Sequence, residues 1–89
     1  MNAIESQLEP EEVKLLQRLK MKPEISDELW FIGKNPECAT RMYFEEWQEI
    51  AETIEQHLNK SRIQNRDEFN ELLSKLRVFI KTHKIKAYQ

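Results

Sequence analysis

Apolar side chains recur at helical spacing along most of this chain. The stretch YFEEWQEIAETIEQHL, residues 43–58, places large apolar residues three and four positions apart, with glutamates between them. At about 100° per residue, these apolar positions cover about one third of the helix circumference. The pattern predicts a strongly amphipathic helix that opens at Asn35 and Pro36 and ends near Leu58, with Asn59 as its C-terminal cap.

Two helices are predicted before this one. The first covers roughly Pro10 to Met21, because proline suits a first helical turn and Pro23 disfavours helical geometry at the residue before it. The second is short, with Ser26 as its N-cap and Gly33 as its stop. Its sequence is apolar on every side, so it is expected to be buried on more than one face.

A last helix follows Asn65, whose spacing from Glu68 resembles a capping box, and its apolar stripe continues to about Lys84. The connection from the preceding helix, residues 59–64, is short, which favours antiparallel pairing. A turn centred near residue 61 or 62 would match four apolar pairs: Tyr43 with Ile80, Trp47 with Leu76, Ile50 with Leu73, and Ile54 with Phe69. The predicted fold is all-α, a small three- or four-helix bundle built on a long antiparallel helical hairpin.

Length and composition limit what this fold can be. The chain has 89 residues, of which 39% are apolar and 34% charged. This predicts one domain over residues 1–89, with frayed ends at about 1–8 and 85–89. The chain has one glycine, which argues against a Gly-rich nucleotide loop. It has one cysteine, which excludes an intramolecular disulfide. Neither a membrane span nor a secretory signal is recognisable, so a cytoplasmic location is expected.

Charge is segregated along the chain. Residues 1–59 carry a net charge of −7, and residues 60–89 carry +5. On the long helix an acidic row is either plain solvated surface or a docking face for a basic partner; it consists of Glu45, Glu49, Glu52 and Glu55. On the last helix the basic residues suggest a nucleic-acid contact instead; they are Arg77, Lys81, Lys84 and Lys86. The chain is acidic overall and has no known nucleic-acid-binding motif, so this remains the second alternative.

Three aromatic side chains are candidates for contact with a partner. Trp30 and Phe31 belong to a run of four large apolar residues, Leu29 to Ile32, in the short second helix. Such a run either plugs the end of the bundle or keeps part of its surface for a partner. Phe44 sits at the margin of its helix's apolar sector and is expected to be partly exposed. Val78 lies opposite the apolar stripe of the last helix.

Catalytic or metal-binding chemistry has little support. Cys38 is expected in the first turn of the long helix, where the dipole favours a thiolate, and the antiparallel register brings His83 near it. No orienting third residue or oxyanion hole accompanies the pair, and free cysteines commonly pack as small apolar groups. His57 is expected at the opposite end of the hairpin from His83, so the two do not share a metal. No catalytic residue, cofactor or metal is predicted.

These patterns favour a non-enzymatic protein–protein interaction module, such as an adaptor, an inhibitor or a small regulatory subunit. The expected contact residues are Trp30, Phe31, Phe44, Glu45, Glu49 and Glu52. The partner is expected to be another protein, and a second copy of the chain is one candidate. A membrane partner is not expected. The alternative is a nucleic-acid-binding accessory protein that uses the basic last helix.

Overall fold

The structure is a computed structural model that describes the backbone of residues 3–87 and the side chains of residues 3–83. In this part of the chain, the elements are β1 (Ile4–Ser6), α1 (Pro10–Gln17), α2 (Pro23–Lys34), β2 (Thr40–Met42), α3 (Phe44–Leu58) and α4 (Arg66–Ala87). The prediction of a mostly helical chain is confirmed. The all-α class is wrong in one respect, because two strands form a small sheet. Among the described residues, no helix has the length and apolar character needed to cross a bilayer.

The sheet joins the N-terminal region to the middle of the chain. The strands pair antiparallel, with Ile4 opposite Met42, Glu5 opposite Arg41, and Ser6 opposite Thr40. In β2 the outer two residues are buried and the middle one is exposed, as expected for a strand with one face against a core. Residues 4–6, which were expected to fray, therefore form β1. Leu8, just after β1, is also buried.

The long helix predicted from Pro36 is wrong in its first part. The chain forms a turn and then β2 before α3 begins at Phe44. Tyr43 is the N-cap of α3, with extended backbone, and its N–H donates to the Glu46 carboxylate at 2.9 Å. Because Tyr43 lies outside the helix, its side chain does not follow the helical stripe and is exposed. The sequence register pairs Tyr43 with Ile80 inside the hairpin. Tyr43 is exposed, so it is not a buried member of that pair.

Pro23 begins α2 and does not end the helix before it, which stops at Gln17. Proline is favourable at the first position of a helix because its missing N–H needs no partner there. α1 ends at Gln17, before the predicted Met21. α2 starts ahead of the predicted N-cap Ser26 and continues through Gly33 to Lys34.

The ends of the α3–α4 connection agree with the sequence more closely. α3 ends at Leu58 with Asn59 as its C-cap, as predicted. α4 begins at Arg66, directly after Asn65. Asn65 has a φ of 61°, whereas an ordinary N-cap residue is extended. Its side-chain oxygen accepts a hydrogen bond from Arg18 Nη1 at 2.7 Å, which ties the start of α4 to the end of α1.

The core is built from the apolar faces of all four helices together with β2. Trp47 is fully buried, as predicted for the centre of the α3 stripe. The helical residues of this core are Val13, Leu15, Leu16, Ile25, Leu29, Ile32, Trp47, Ile50, Ala51, Ile54, Phe69, Leu72, Leu73 and Leu76. Burial of these side chains supplies most of the favourable free energy of folding.

Ring contacts join α3 to α4. The Trp47 and Phe79 rings meet edge to face with centroids 5.1 Å apart, and the His57 and Phe69 rings do so at 4.9 Å. The sequence register pairs Trp47 with Leu76 and Phe69 with Ile54. The rings that they contact instead, Phe79 and His57, each lie one helical turn from the predicted partner. The Trp47 Nε1 also donates to the Ile4 carbonyl oxygen at 3.0 Å. This tryptophan therefore connects β1, α3 and α4.

Candidate partner-binding site

Two consecutive aromatic side chains lie on the surface of α2. The buried face of this helix is taken by Ile25, Leu29 and Ile32, which recur at helical spacing. Trp30 and Phe31 lie outside that buried face, and their side chains are 56% and 52% exposed. Of the two sequence interpretations, the structure therefore excludes burial in the core for both rings and leaves them available to a partner.

Trp30 borders a cleft between α1 and α2. The cleft, called the α1–α2 cleft below, has a volume of about 190 Å³. Its lining residues are Leu8, Pro10, Val13, Lys14, Gln17, Trp30, Ile32, Gly33, Lys34 and Pro36. Most of these residues are apolar, and the charged residues among them, Lys14 and Lys34, are both cationic and exposed. The sequence could not reveal this cleft, because its lining comes from separate segments.

Gly33 of α2 lies against the end of the Gln17 side chain of α1, at one end of the cleft. A Cβ at this position would lie 2.6 Å from the Gln17 Nε2 atom. That same Nε2 donates to the Leu29 carbonyl oxygen at 3.2 Å, so the glutamine bridges the two helices. The only glycine of the chain lies within α2, which continues to Lys34, so it is not the helix stop that the sequence predicts.

The acidic row on α3 is only partly free. Glu49 forms an ion pair with Lys22 at 3.3 Å, and Glu55 forms one with Arg77 at 2.8 Å. Glu45 and Glu52 are exposed. Half of the row thus serves contacts within the chain, which weakens its interpretation as a uniform docking face for a basic partner.

Phe44 does not have the exposure expected of a contact residue. It is 6% exposed, so the prediction of partial exposure is wrong. Phe44 opens α3, and Tyr43 before it is in extended backbone and points outward. At the start of α3, Phe44 is therefore the buried aromatic residue, and Tyr43 is the exposed one.

The structure describes the side chains of two of the four basic residues proposed for nucleic acid, Arg77 and Lys81. Arg77 donates to Glu55 at 2.8 Å, whereas Lys81 is exposed. The side chains of Lys84 and Lys86 lie outside the described residues. Both described side chains are therefore exposed, and Arg77 also forms an ion pair within the chain.

The candidate thiol chemistry has a different setting from the one expected. Cys38 is half-buried against the core in the turn before β2, so it is not in a first helical turn. The His83 ring packs on Phe79 at 4.2 Å between centroids, and its Nδ1 lies 2.9 Å from the Phe79 carbonyl oxygen. In the described part of the chain, no group of three or more His, Cys, Asp or Glu side chains is placed to hold a metal.

Two further clefts were missed by sequence reasoning. One, of about 300 Å³, lies between α1 and α4 and is lined by Glu9, Glu11, Glu12, Leu15, Glu68, Glu71, Leu72 and Lys75. Lys75 bonds to Glu12 there at 2.8 Å. The other, of about 200 Å³, lies by the α3–α4 connection and is lined by basic residues from separate elements.

Comparison of the chain with protein-family models, with curated proteins and with solved structures found no match.

Proposed function

We propose that the protein is a cytosolic, non-enzymatic interaction module that binds a segment of a partner protein at the α1–α2 cleft. The observation that carries this proposal is the exposed Trp30 at the edge of an apolar cleft. Exposed tryptophan is costly to leave in water and is enriched at the energetic centres of protein interfaces. Phe31, beside it on α2, extends the apolar contact surface.

The dimensions and charge of the cleft define the chemistry of the partner. Small-molecule sites commonly have volumes of about 300–1,000 Å³, which exceeds the 190 Å³ found here. One large apolar side chain of a peptide is a better match for this volume. Lys14 and Lys34 at the cleft favour carboxylates beside that side chain. The proposed ligand is therefore a peptide segment with an apolar anchor flanked by acidic residues.

The remainder of the fold supports this surface. We infer that α3 and α4 run antiparallel as a helical hairpin, since the end of α3 meets the start of α4 at His57 and Phe69. The beginning of α3 in turn meets a later part of α4 at Trp47 and Phe79. α1 and α2 contribute buried residues to the same core, so the cleft between them has a packed base.

Peptide selection tests the proposal directly. Phage-displayed peptides are selected on the immobilised protein, and the affinity of the enriched peptides for each variant is measured by fluorescence anisotropy of a dye attached to the peptide. Tryptophan emission of the wild type is a second readout. Trp47 is already buried, whereas Trp30 should shift its emission to shorter wavelength when an apolar side chain covers it. Trp30→Glu is expected to weaken binding by about 30-fold or more, as for a central hot-spot residue.

Val78→Glu is the matched control. Val78 is 68% exposed on α4, and the change introduces the same charge at a surface apolar site away from the cleft. This variant should bind the selected peptides as the wild type does, and circular dichroism should show an intact fold for both variants. Equal binding by Trp30→Glu and the wild type would contradict the proposal, as would selected peptides without an apolar anchor.

The nucleic-acid alternative is supported less well by the geometry. Of the four basic residues proposed to contact nucleic acid, Arg77 forms an ion pair with Glu55, and Lys81 is exposed. Neither of the exposed aromatics Trp30 and Phe31 lies on α4, where stacking on bases would need them. Protein binding at the α1–α2 cleft is therefore the preferred function.

A further inference from the structure

A second cleft collects cationic side chains from distant parts of the chain. It has a volume of about 200 Å³ and lies where the end of α1, the end of α3 and the start of α4 meet. It is lined by Arg18, His57, Arg62, Ile63, Gln64 and Phe69. None of these residues is acidic, although the chain as a whole carries a net charge of −2. This cleft, called the basic cleft below, shares no residue with the α1–α2 cleft.

Hydrogen bonds hold the walls of the basic cleft in place. Arg66 donates from Nη1 to the Leu58 carbonyl oxygen and from Nη2 to the Lys60 carbonyl oxygen, both at 2.9 Å. These two bonds tie the start of α4 to the end of α3 across the connection that carries Arg62. On the opposite wall, Arg18 Nη1 donates to Asn65 at 2.7 Å, which orients its guanidinium.

Most of the donors of the two guanidinium groups are available. Arginine carries five N–H donors, of which Arg18 uses one for Asn65. Within the described part of the chain, Arg62 forms no hydrogen bond or ion pair. The His57 ring is held against Phe69, with centroids 4.9 Å apart, and adds a third nitrogen-bearing side chain. Such a set is suited to an oxyanion with several acceptor oxygens.

The other lining residues narrow the choice of ligand. Ile63 is half-buried and Phe69 is buried, so they present an apolar edge beside the cationic groups. An anion that carries an organic group would use both parts of the cleft, whereas a simple inorganic ion would use only one. The volume of about 200 Å³ is below the roughly 300–1,000 Å³ of sites for drug-sized molecules, so the ligand must be smaller than those: an anionic group that carries one compact organic group, not a long chain of nucleotides.

We propose that the basic cleft binds the phosphate group of a small phosphate monoester. Arg18 and Arg62 donate to the phosphate oxygens, His57 and Gln64 complete the polar wall, and the organic group lies against Ile63 and Phe69. Asp67 and Glu68 occupy the first turn of α4, but neither lines the basic cleft, and Glu68 lines the cleft between α1 and α4 instead. The site is independent of the function proposed for the α1–α2 cleft.

Titration followed by two-dimensional NMR tests this inference. Phenyl phosphate and inorganic phosphate are added separately to the full chain, with potassium chloride at matched ionic strength as the blank. Saturable shifts are expected for residues 57–69 and for the Arg18 side chain, with phenyl phosphate binding more tightly. Shifts that never saturate with phenyl phosphate would overturn the proposal, as would tighter binding of inorganic phosphate.

Variants separate the site from a general effect of charge. Arg62→Gln is expected to weaken phenyl phosphate binding by about tenfold or more, because a charge-assisted hydrogen bond is lost. Lys60→Gln removes the same charge from an exposed side chain of the same connection that does not line the cleft, and should change affinity less than about twofold. Equal losses in the two variants would show a net-charge effect and overturn the site. Both variants should retain the dispersed spectrum of the wild type.

Discussion

Replacing Trp47 with alanine tests the arrangement of the core most directly. Trp47 is fully buried, and its ring packs edge to face on Phe79. Its Nε1 donates to the Ile4 carbonyl oxygen at 3.0 Å. Truncation of a buried tryptophan costs about 3–5 kcal/mol, and a backbone acceptor left without its partner costs about 1 kcal/mol more. A chain of this length unfolds with a total free energy of about 5–13 kcal/mol, so Trp47→Ala is expected to remove a third of it or more.

Urea unfolding followed by far-UV circular dichroism gives the free energy of unfolding for each variant. Trp47→Phe retains an aromatic ring beside Phe79 but cannot donate to Ile4, so it should cost only about 1–2 kcal/mol. Trp30→Ala is the matched control, since the other tryptophan is 56% exposed and should change stability by about 0.5 kcal/mol or less. If Trp47→Ala unfolded within about 1 kcal/mol of the wild type, the tryptophan would not be a core residue and the reasoning would be wrong.

Two further substitutions can be measured by the same unfolding assay. Among described residues, Thr40 has a buried hydroxyl without a hydrogen-bond partner, so Thr40→Val should raise the free energy of unfolding by about 1 kcal/mol. The control Thr53→Val removes a hydroxyl bonded to a backbone carbonyl at 2.8 Å and should not stabilise the protein; equal effects would refute the explanation. Gly33→Ala should gain about 1 kcal/mol of helix propensity but lose the bond from Gln17 to Leu29, leaving stability within about 1 kcal/mol of the wild type. A loss above about 2 kcal/mol would mean that Gln17 cannot move aside.

The buried faces of the long helices could be predicted from local sequence alone. Trp47, Ile50 and Ile54 recur at helical spacing, and all three are fully buried. Phe69 and Leu76 on α4 follow the same rule. A stripe of this kind is visible without knowledge of its partner, because the repeat of the helix itself puts these side chains on one side.

The start of α3 could not be predicted in the same way. Asn35 and Pro36 resemble a helix start, and Ala39 extends the apolar stripe of α3. β2 nevertheless forms over Thr40–Met42, because Ile4–Ser6 supplies hydrogen bonds from more than thirty residues away. A window around residues 36–43 contains no trace of that partner, so a local reading favours the helix.

Some residues of the candidate sites could be found from local sequence, and others only from the tertiary structure. Trp30 and Phe31 could be named from the sequence because four large apolar residues in a short helix exceed what one buried face can hold. The basic cleft could not be named, since Arg18, His57 and Arg62 are distant in the chain and meet only after folding. The sequence shows the acidic row on α3, but only the tertiary structure shows that Glu49 and Glu55 of this row form ion pairs with residues of other elements.

By itself, the sequence determined that this chain is mostly helical, that the stripe around Trp47 is buried, and that Trp30 and Phe31 are candidates for a surface role. Only the tertiary structure decided where α3 begins, which glutamates form ion pairs, and which side chains line the two clefts proposed as binding sites. The physical reason is the range of the interactions. Helical hydrogen bonds and amphipathic spacing act within a few residues, whereas strand pairing, ion pairs between helices and clefts depend on residues that folding brings together.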